Sequence, residues 1–395
     1  MIQFNFDWHC TACTACVSAC PDKTIAMRTN AEGFLMPIVD SERCSDCGVC
    51  ESTCPYLNSP RGLLCSLQSK NAYIYFAPND EAVKKSTSGG VFYGLAQEVL
   101  HKGGYVCGCV WSDKLMTRHI VSNDIQDIER MQGSKYVQSD LGGCFVEIRE
   151  LLVRGKSVLF SGTPCQVAGI QSCLPDELMK RLITLSIICH GVPSPKVWRG
   201  YVDELERERE RERERESKSR LYSVNMRSKV RSYHKPMCEY RFEDGHILYT
   251  AYEDKYMFGF LENLYLRKSC YDCKFKDKST SGDIICGDCH DGYRMKTPAG
   301  ASVILALSEK GDQALHSSFK ENLIKFDARQ IICLNDMLIK SVPINKQRSR
   351  FFKTYKNGFS FAFFDCIKKR YWVKTILRRL HLFHFAQSIW RSVNH

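Results

Sequence analysis

Two stretches, CTACTACVSACP at Cys10–Pro21 and CSDCGVCESTCP at Cys44–Pro55, decide how this chain begins to fold. Both read C-x2-C-x2-C-x3-C-P, and each cysteine of the first returns 34 positions on, Cys10 as Cys44 and Cys20 as Cys54. A cubane iron–sulfur cluster takes four soft thiolates, and two C-x2-C steps let one tight loop present three of them. The fourth cysteine then points elsewhere. In two-cluster ferredoxins it ligates the other cluster, which assigns Cys10, Cys13, Cys16 and Cys54 to one [4Fe–4S] cluster and Cys44, Cys47, Cys50 and Cys20 to a second. Zinc is the structural alternative, but zinc sites pair two C-x2-C units at longer separations and do not call for three evenly stepped cysteines before C-P.

Between the arrays, Thr24 to Asp40 holds two extended runs about Asn30-Ala31-Glu32-Gly33, a hairpin turn. Residues 1–62 are therefore expected to form a pseudo-symmetric α+β ferredoxin-like module. The whole chain has 395 residues and 22 cysteines, enough length for two or three domains. A disulfide framework belongs to short secreted chains behind a signal peptide, and Met1 to Trp8 has neither a basic start nor an apolar stretch. A reducing, cytoplasmic setting follows, membrane-peripheral at most, because no apolar run approaches bilayer length.

Beyond Cys65 strand and helix patterns alternate, as in α/β architecture, over an expected core at 70–340. Asn71–Phe76, Tyr105–Trp111, Lys156–Ser161 and Leu182–Ile188 read as strands. Ser86-Thr87-Ser88-Gly89-Gly90 opens a helix whose free N–H groups suit a phosphate, although an ordinary helix cap reads the same way. Gly162-Thr163-Pro164-Cys165-Gln166 is a sharp loop before a helix from Val167, and Cys189-His190-Gly191-Val192-Pro193 ends another strand. Turns at strand C-ends are where α/β folds place ligands.

The ordered set S-x-S-G-G, G-S-K-Y, G-T-P-C-Q, C-H-G-V-P-S, R-K-S-C-x2-C and D-I-x2-G-D, running from Ser86 to Asp288, resembles the coenzyme F-420 hydrogenase/dehydrogenase beta-subunit family. The resemblance implies a flavoprotein core that binds FAD and relays electrons between clusters and a two-electron partner; a flavin exchanges one electron or two. It also implies a third [4Fe–4S] cluster in the core, for which Cys165, Cys189, Cys270 and Cys273 are the cysteines at hand. A small zinc site or scattered core cysteines are the alternatives. Asp288 is followed by Cys289-His290 where the family carries an aromatic pair, which makes Cys286 and Cys289 competing ligands. For the flavin, Ser88, Gly89 and Gly90 are assigned to its phosphates, and Ser134, Lys135 and Tyr136 to the isoalloxazine or ribityl. Arg227 and Lys229 are assigned to an anionic substrate or cofactor. His190 is the candidate proton-transfer residue, with a structural hydrogen bond as the alternative.

The implied function is an iron–sulfur flavoprotein oxidoreductase, extended by the family's usual company to surface polysaccharide biosynthesis. A non-catalytic electron-transfer subunit serving a partner enzyme is the rival, and a zinc-stabilised interaction module a third class. The redox partner would be a ferredoxin or another oxidoreductase subunit. The family name alone does not assign coenzyme F-420 to this chain.

Two charged segments remain. Glu206 to Glu216, within a low-complexity tract at 204–216, alternates Glu and Arg and reads as a solvated helical extension. Of the net charge of +12, the tail from Asn345 to His395 supplies +11, with 12 Lys or Arg against Asp365 alone. Residues 341–395 read as a basic amphipathic helical tail, with Val373, Ile376, Leu377, Leu380 and Phe383 on one face, Lys374, Arg378 and Arg379 away from it, and Trp372 and Trp390 nearby. Such a helix suits an anionic membrane surface, an acidic partner or its own domain. No reader motif supports nucleic-acid binding.

Overall fold

The structure is a computed structural model and describes residues 6–58, 67–78, 80–212, 219–233, 235–289 and 300–379. The N-terminal module is built twice from one backbone plan. Ala12 and Asp46 take φ of 55° and 52°, and Thr14 and Gly48 take 60° and 73°. Each left-handed pair leads into a five-residue helix, Ala15–Ala19 and Val49–Thr53. Cys20 and Cys54 then close the helices at φ −66°, ψ 115° and φ −68°, ψ 114°. Side-chain-bearing residues pay to sit in the left-handed region, so its recurrence at matching positions makes the 34-residue sequence repeat a structural one. Strands β1 (Ile25–Thr29) and β2 (Leu35–Val39) pair antiparallel as the expected hairpin. Its turn is closed by Asn30 accepting from the Phe34 amide at 2.9 Å and by Gly33 at φ 88°.

The core strands are β3 (Asn71–Tyr75), β4 (Tyr105–Trp111), β5 (Thr117–Ser122), β6 (Val158–Gly162), β7 (Leu182–Ile187), β8 (Leu221–Ser228), β9 (Met237–Phe242), β10 (Ile247–Thr250), β11 (Ile284–Asp288), β12 (Ser302–Ala306) and β13 (Ile324–Phe326). Eight form one mixed sheet in the order β13-β3-β12-β11-β7-β6-β4-β5. Neighbours β4, β6, β7 and β11 are parallel, while β12 and β5 run against them. The parallel part is covered on both faces, which is why its strands read as near-continuous apolar runs. Val106, Leu159, Leu185 and Ile284 pack one layer, and Cys107, Val158, Phe160 and Leu182 pack another with the helix Cys144–Val153.

Because β3, β6, β7 and β11 point the same way, the loops after them emerge along one edge. This edge carries Ser86–Gly90, Cys165, Cys189 and Asp288. The small sheet β10-β9-β8 and the helix Pro195–Glu212 frame a second, aromatic core of Trp198, Tyr201, Tyr240, Tyr256, Tyr265, Phe351 and Phe359. Its buried Asp254 accepts from Tyr201 at 3.0 Å, Tyr240 at 2.8 Å and Thr250 at 2.7 Å, so the carboxylate inside this apolar layer is satisfied.

Three sequence expectations change. The helix expected from Val167 starts at Pro164, because Thr163 and Gln166 form a capping box and proline suits the first helical position; Cys165 thus rides on a helix N-terminus. The Glu/Arg tract continues the helix to Glu212 and is tied down where described: Arg209 pairs with Asp244 at 2.9 Å and Glu206 with Arg199 at 2.8 Å. In the tail helix Phe359–Arg379, kinked at Ile367, the faces are reversed. Lys374 and Arg370 turn toward Glu262, whose side chain is only 7% exposed, and Trp372, Val373 and Ile376 face outward. A buried carboxylate outbids the apolar stripe for the inner face because leaving it unpaired costs more. Leu380, Phe383 and Trp390 lie outside the described residues. Among those described, no helix is long and apolar enough to cross a membrane.

Candidate iron–sulfur and cofactor site

The fold sets the module's eight cysteines around two cavities. Cys10, Cys13, Cys16 and Cys54 border one cavity, with Met27, Pro37 and Tyr56. Cys20, Cys44, Cys47 and Cys50 border the other, with Ile25 and Val39. In each, three thiols come from one array and the fourth from the other. Each cavity with its four thiols forms a cage; among the described residues no three His, Cys, Asp or Glu are grouped to hold a single metal ion. Burial pushes the Cys13 thiol well up and Cys16 up to about 12, a cost that bound iron would reverse by supplying positive charge. The donor chemistry therefore fits [4Fe–4S] clusters.

The two cages differ in exposure. Cys47 is exposed and Cys20 and Cys44 half-buried, whereas Cys10, Cys13 and Cys54 are buried. The inner cage is pressed against the core. Arg267 Nε and Ser269 Oγ each donate to the Cys10 carbonyl at 3.1 Å, and Arg267 Nη1 donates to the Leu35 carbonyl at 3.1 Å. A Cβ on Gly169, in the helix Pro164–Cys173, would lie 2.8 Å from Cys13 Cβ, so only glycine lets this helix come so near.

Behind that contact the four core cysteines assemble. Cys165 follows β6 with its thiol 3.1 Å from the Thr163 hydroxyl. Cys189 follows β7, where its carbonyl accepts from Lys276 Nζ at 2.6 Å. The Pro193–Leu266 bridge and the bond from Arg267 N to Val192 O at 2.9 Å bring Cys270 and Cys273 beside that loop. The thiols sense one another. Burial, then the charges of Cys189, Cys273 and Cys165, pushes Cys270 up; burial raises Cys189 to about 12 and Cys273 to about 11, each with a contribution from Cys165. Cys165 rides on the same helix whose Gly169 meets Cys13, so this helix joins the inner cage to the core set. Cys286 packs with the strand layer, its carbonyl accepting from the Ile188 amide at 2.8 Å, and Cys289 packs with Ala301 and Val303.

Two of the residues assigned to a cofactor, Ser88 and Arg227, meet one carboxylate at the end of β11, Asp288. Ser88 donates to it, and Arg227 Nη2 pairs with it at 2.7 Å. Tyr136 senses both Arg227 and Asp288 as well as the Ser134 hydroxyl, and burial holds its phenol above the usual range. Lys229 donates to the carbonyls of Val83 at 2.6 Å and Ser88 at 2.7 Å. Burial, aided by Arg227 and opposed by Asp288, pulls its ammonium down to about 7. Arg227 Nε is buried with no hydrogen-bond partner among the described residues, a donor left over for a bound acceptor.

Two assignments, Gly89 and Lys135, sit differently from what the motif suggests. The Gly89 amide already donates to Ser302 Oγ at 2.8 Å, and a Cβ there would meet the Tyr75 carbonyl; its role in place is close backbone packing. Gly90, at φ 94°, caps the 11-residue helix Val91–His101 with no side-chain cap. Lys135 points its ammonium at the carbonyls of Met131, Gln132 and Gly133, at 3.2, 2.9 and 3.1 Å, and burial lowers it to about 8. His190 bonds Asn263 Oδ1 through Nε2 at 2.7 Å. Its ring stands edge-on to Phe260, which in turn packs on Tyr136, both at 4.9 Å. Asp288, Asn263 and Phe260 join the site only through the fold: Asp288 ends the D-I-x2-G-D motif, its one sequence signal, and the other two carry none.

Two thiol cages, further core cysteines and the bonded cluster of Ser88, Arg227 and Asp288 define the class: an iron–sulfur electron-transfer protein. Residues 9–58 match the 4Fe-4S dicluster domain, and residues 155–330 match the C-terminal part of the coenzyme F420 hydrogenase/dehydrogenase beta chain. The chain thus carries a dicluster domain in front of a segment that matches the C terminus of the coenzyme F420 hydrogenase/dehydrogenase beta subunit.

Among curated relatives it is 21% identical over 189 residues to the F component of the F(420)H(2) dehydrogenase of Methanosarcina mazei, one of that enzyme's subunits, covering 46% of this chain and 53% of that protein. It is 38% identical over 53 residues to the VorC subunit of the ketoisovalerate oxidoreductase of Methanothermobacter marburgensis, covering 13% and 67%. The chain thus spans about half the length of the first. A chain of the F420-reducing [NiFe] hydrogenase complex of Methanosarcina barkeri aligns at a TM-score of 0.43 and 15% identity, over 77% of this chain and 94% of that one.

Proposed function

We propose that this chain is an iron–sulfur flavoprotein relay in which the outer cage, the inner cage and the core thiols lead in series to a flavin held at Asp288 and Arg227. The observation that carries it is the helix Pro164–Cys173, which bears Cys165 in its first turn and meets Cys13 of the inner cage at Gly169. Bound clusters pass single electrons, and bound FAD joins these to a two-electron exchange. Arg227, with its unused Nε, and Lys229 would meet the anionic part of FAD, and the uncapped Gly90 end of Val91–His101 its phosphates. Tyr136 packs on Phe260, and Phe260 on the His190 ring, so an aromatic row runs from this cluster to His190. His190, held neutral by burial and fixed by Asn263, is placed to hold or pass a proton through its ring nitrogens.

The rival, an electron-transfer subunit that binds no substrate, draws on the relatives, both of which are subunits by name. Reduction by a one-electron donor, followed at flavin and cluster wavelengths in wild type and Cys165→Ser, tests the relay. The relay predicts rapid flavin bleaching in the wild type and bleaching slowed at least about tenfold in the variant; equal rates overturn it. Turnover of a small molecule by the purified chain alone excludes the rival. Action on a surface-polysaccharide precursor, the finer reading carried by the resemblance, predicts turnover with a sugar nucleotide or lipid-linked sugar, and no turnover with any such compound removes it.

A further inference from the structure

The tail helix Phe359–Arg379 shows its surroundings an apolar stripe. Trp372 is 45% exposed, Val373 55% and Ile376 51%, with Phe361 exposed at the start of the same helix. Residues 368, 372 and 376 fall in one i, i+4 column and 369 and 373 in the next, so the exposed Lys368 and Lys369 sit one turn before the apolar residues on the same face. The inward face is already used. Phe359, Phe363 and Tyr371 are buried in the aromatic core, Arg370 Nε pairs with Glu262 at 2.8 Å, Lys374 bonds the same carboxylate, and Arg378 lies over the Tyr252 ring. The helix is thus locked with its hydrophobic residues outward. Rotating it to bury them would strip Glu262 of its partners.

We propose that this face docks the protein on an anionic lipid surface. Charge selects the occupant. The tail from Asn345 holds 12 Lys or Arg and a single acid, Asp365, and that acid is taken by a bidentate pair with Arg350 at 2.8 and 2.7 Å. Exposed Lys353, Lys356, Lys368 and Lys369 therefore meet no free counter-charge from the tail itself. A tryptophan beside aliphatic side chains, with lysines whose stems can lie along them, suits the headgroup boundary, where indole and ammonium both stay wet while the apolar edge is covered. Anionic headgroups add attraction for each nearby cation. The proposal is independent of the redox reading.

The test is co-sedimentation of the full anaerobically purified chain with vesicles of phosphatidylcholine alone, or mixed with phosphatidylglycerol. The expected result is binding to the mixed vesicles that weakens as salt rises. The V373D/I376D variant should bind at least about tenfold more weakly, and K368E/K369E should lose about tenfold on the mixed vesicles, with iron content and visible spectrum unchanged in both as the check on folding. No binding of the wild type, or V373D/I376D binding as the wild type does, overturns the proposal. A dimer in light scattering that V373D/I376D abolishes gives the stripe to a second copy and overturns it as well.

Discussion

In the proposed relay, Cys165 is the residue that joins the module to the core. Replacing it with serine should leave the two module cages intact and cost about a third of the iron, from about twelve atoms to about eight; iron assay against Cys286→Ser, expected to keep all of it, checks the assignment. Asp288→Asn is expected to release the Arg227 guanidinium and lower retained flavin several-fold, read from the flavin-to-protein ratio after gel filtration. Lys135 carries a pH signature of its own. Its ammonium falls from the ordinary 10.5 to about 8 on burial, so between those values the unfolded chain binds the more protons and stability rises with pH. Wild type should therefore gain on Lys135→Met as pH rises from about 8 to 10.5 and lose that advantage as it falls back, in denaturant titrations at each pH. At this scale the eight module cysteines were legible because their spacing is local. The partners of Asp288 were not, since Ser88, Arg227 and Tyr136 lie far from it in sequence and meet only through strand order.

Among the elements, the helix Pro164–Cys173 does two things at once: its first turn carries Cys165 and its middle, at Gly169, receives the Cys13 loop. Gly169→Val should therefore destabilise the chain by roughly 1–3 kcal/mol through overpacking. It should also speed loss of the inner cluster in air, measured by thermal unfolding and by iron retained with time. The start of this helix was misplaced by three residues because Thr163-Pro164-Cys165-Gln166 reads as a loop until its capping box is noticed. The hairpin and the strands from Asn71 and Tyr105 were legible from apolar patterning and turn residues. The tail helix was legible as a helix but not in its facing, because Glu262 lies more than a hundred residues away.

On the scale of the whole molecule, the module is clamped to the core by more than the Cys13 loop. Arg348, buried in the C-terminal region, forks onto Glu32 in the hairpin turn and donates through Nε to the Leu266 carbonyl at 3.0 Å. Removing one partner of such a pair leaves the other without its counter-charge, so Arg348→Met should cost about 3–5 kcal/mol and slow electron passage from module to core; chemical denaturation and the flavin-bleaching rate report the two effects separately. The series of thiol sets implies a fixed cofactor inventory. Anaerobic purification with iron, sulfide and flavin quantified on one sample tests it. About twelve iron atoms and one FAD per chain is the predicted result. About eight iron atoms and no flavin would contradict it, leaving the dicluster module as a carrier on a core that binds neither a third cluster nor FAD.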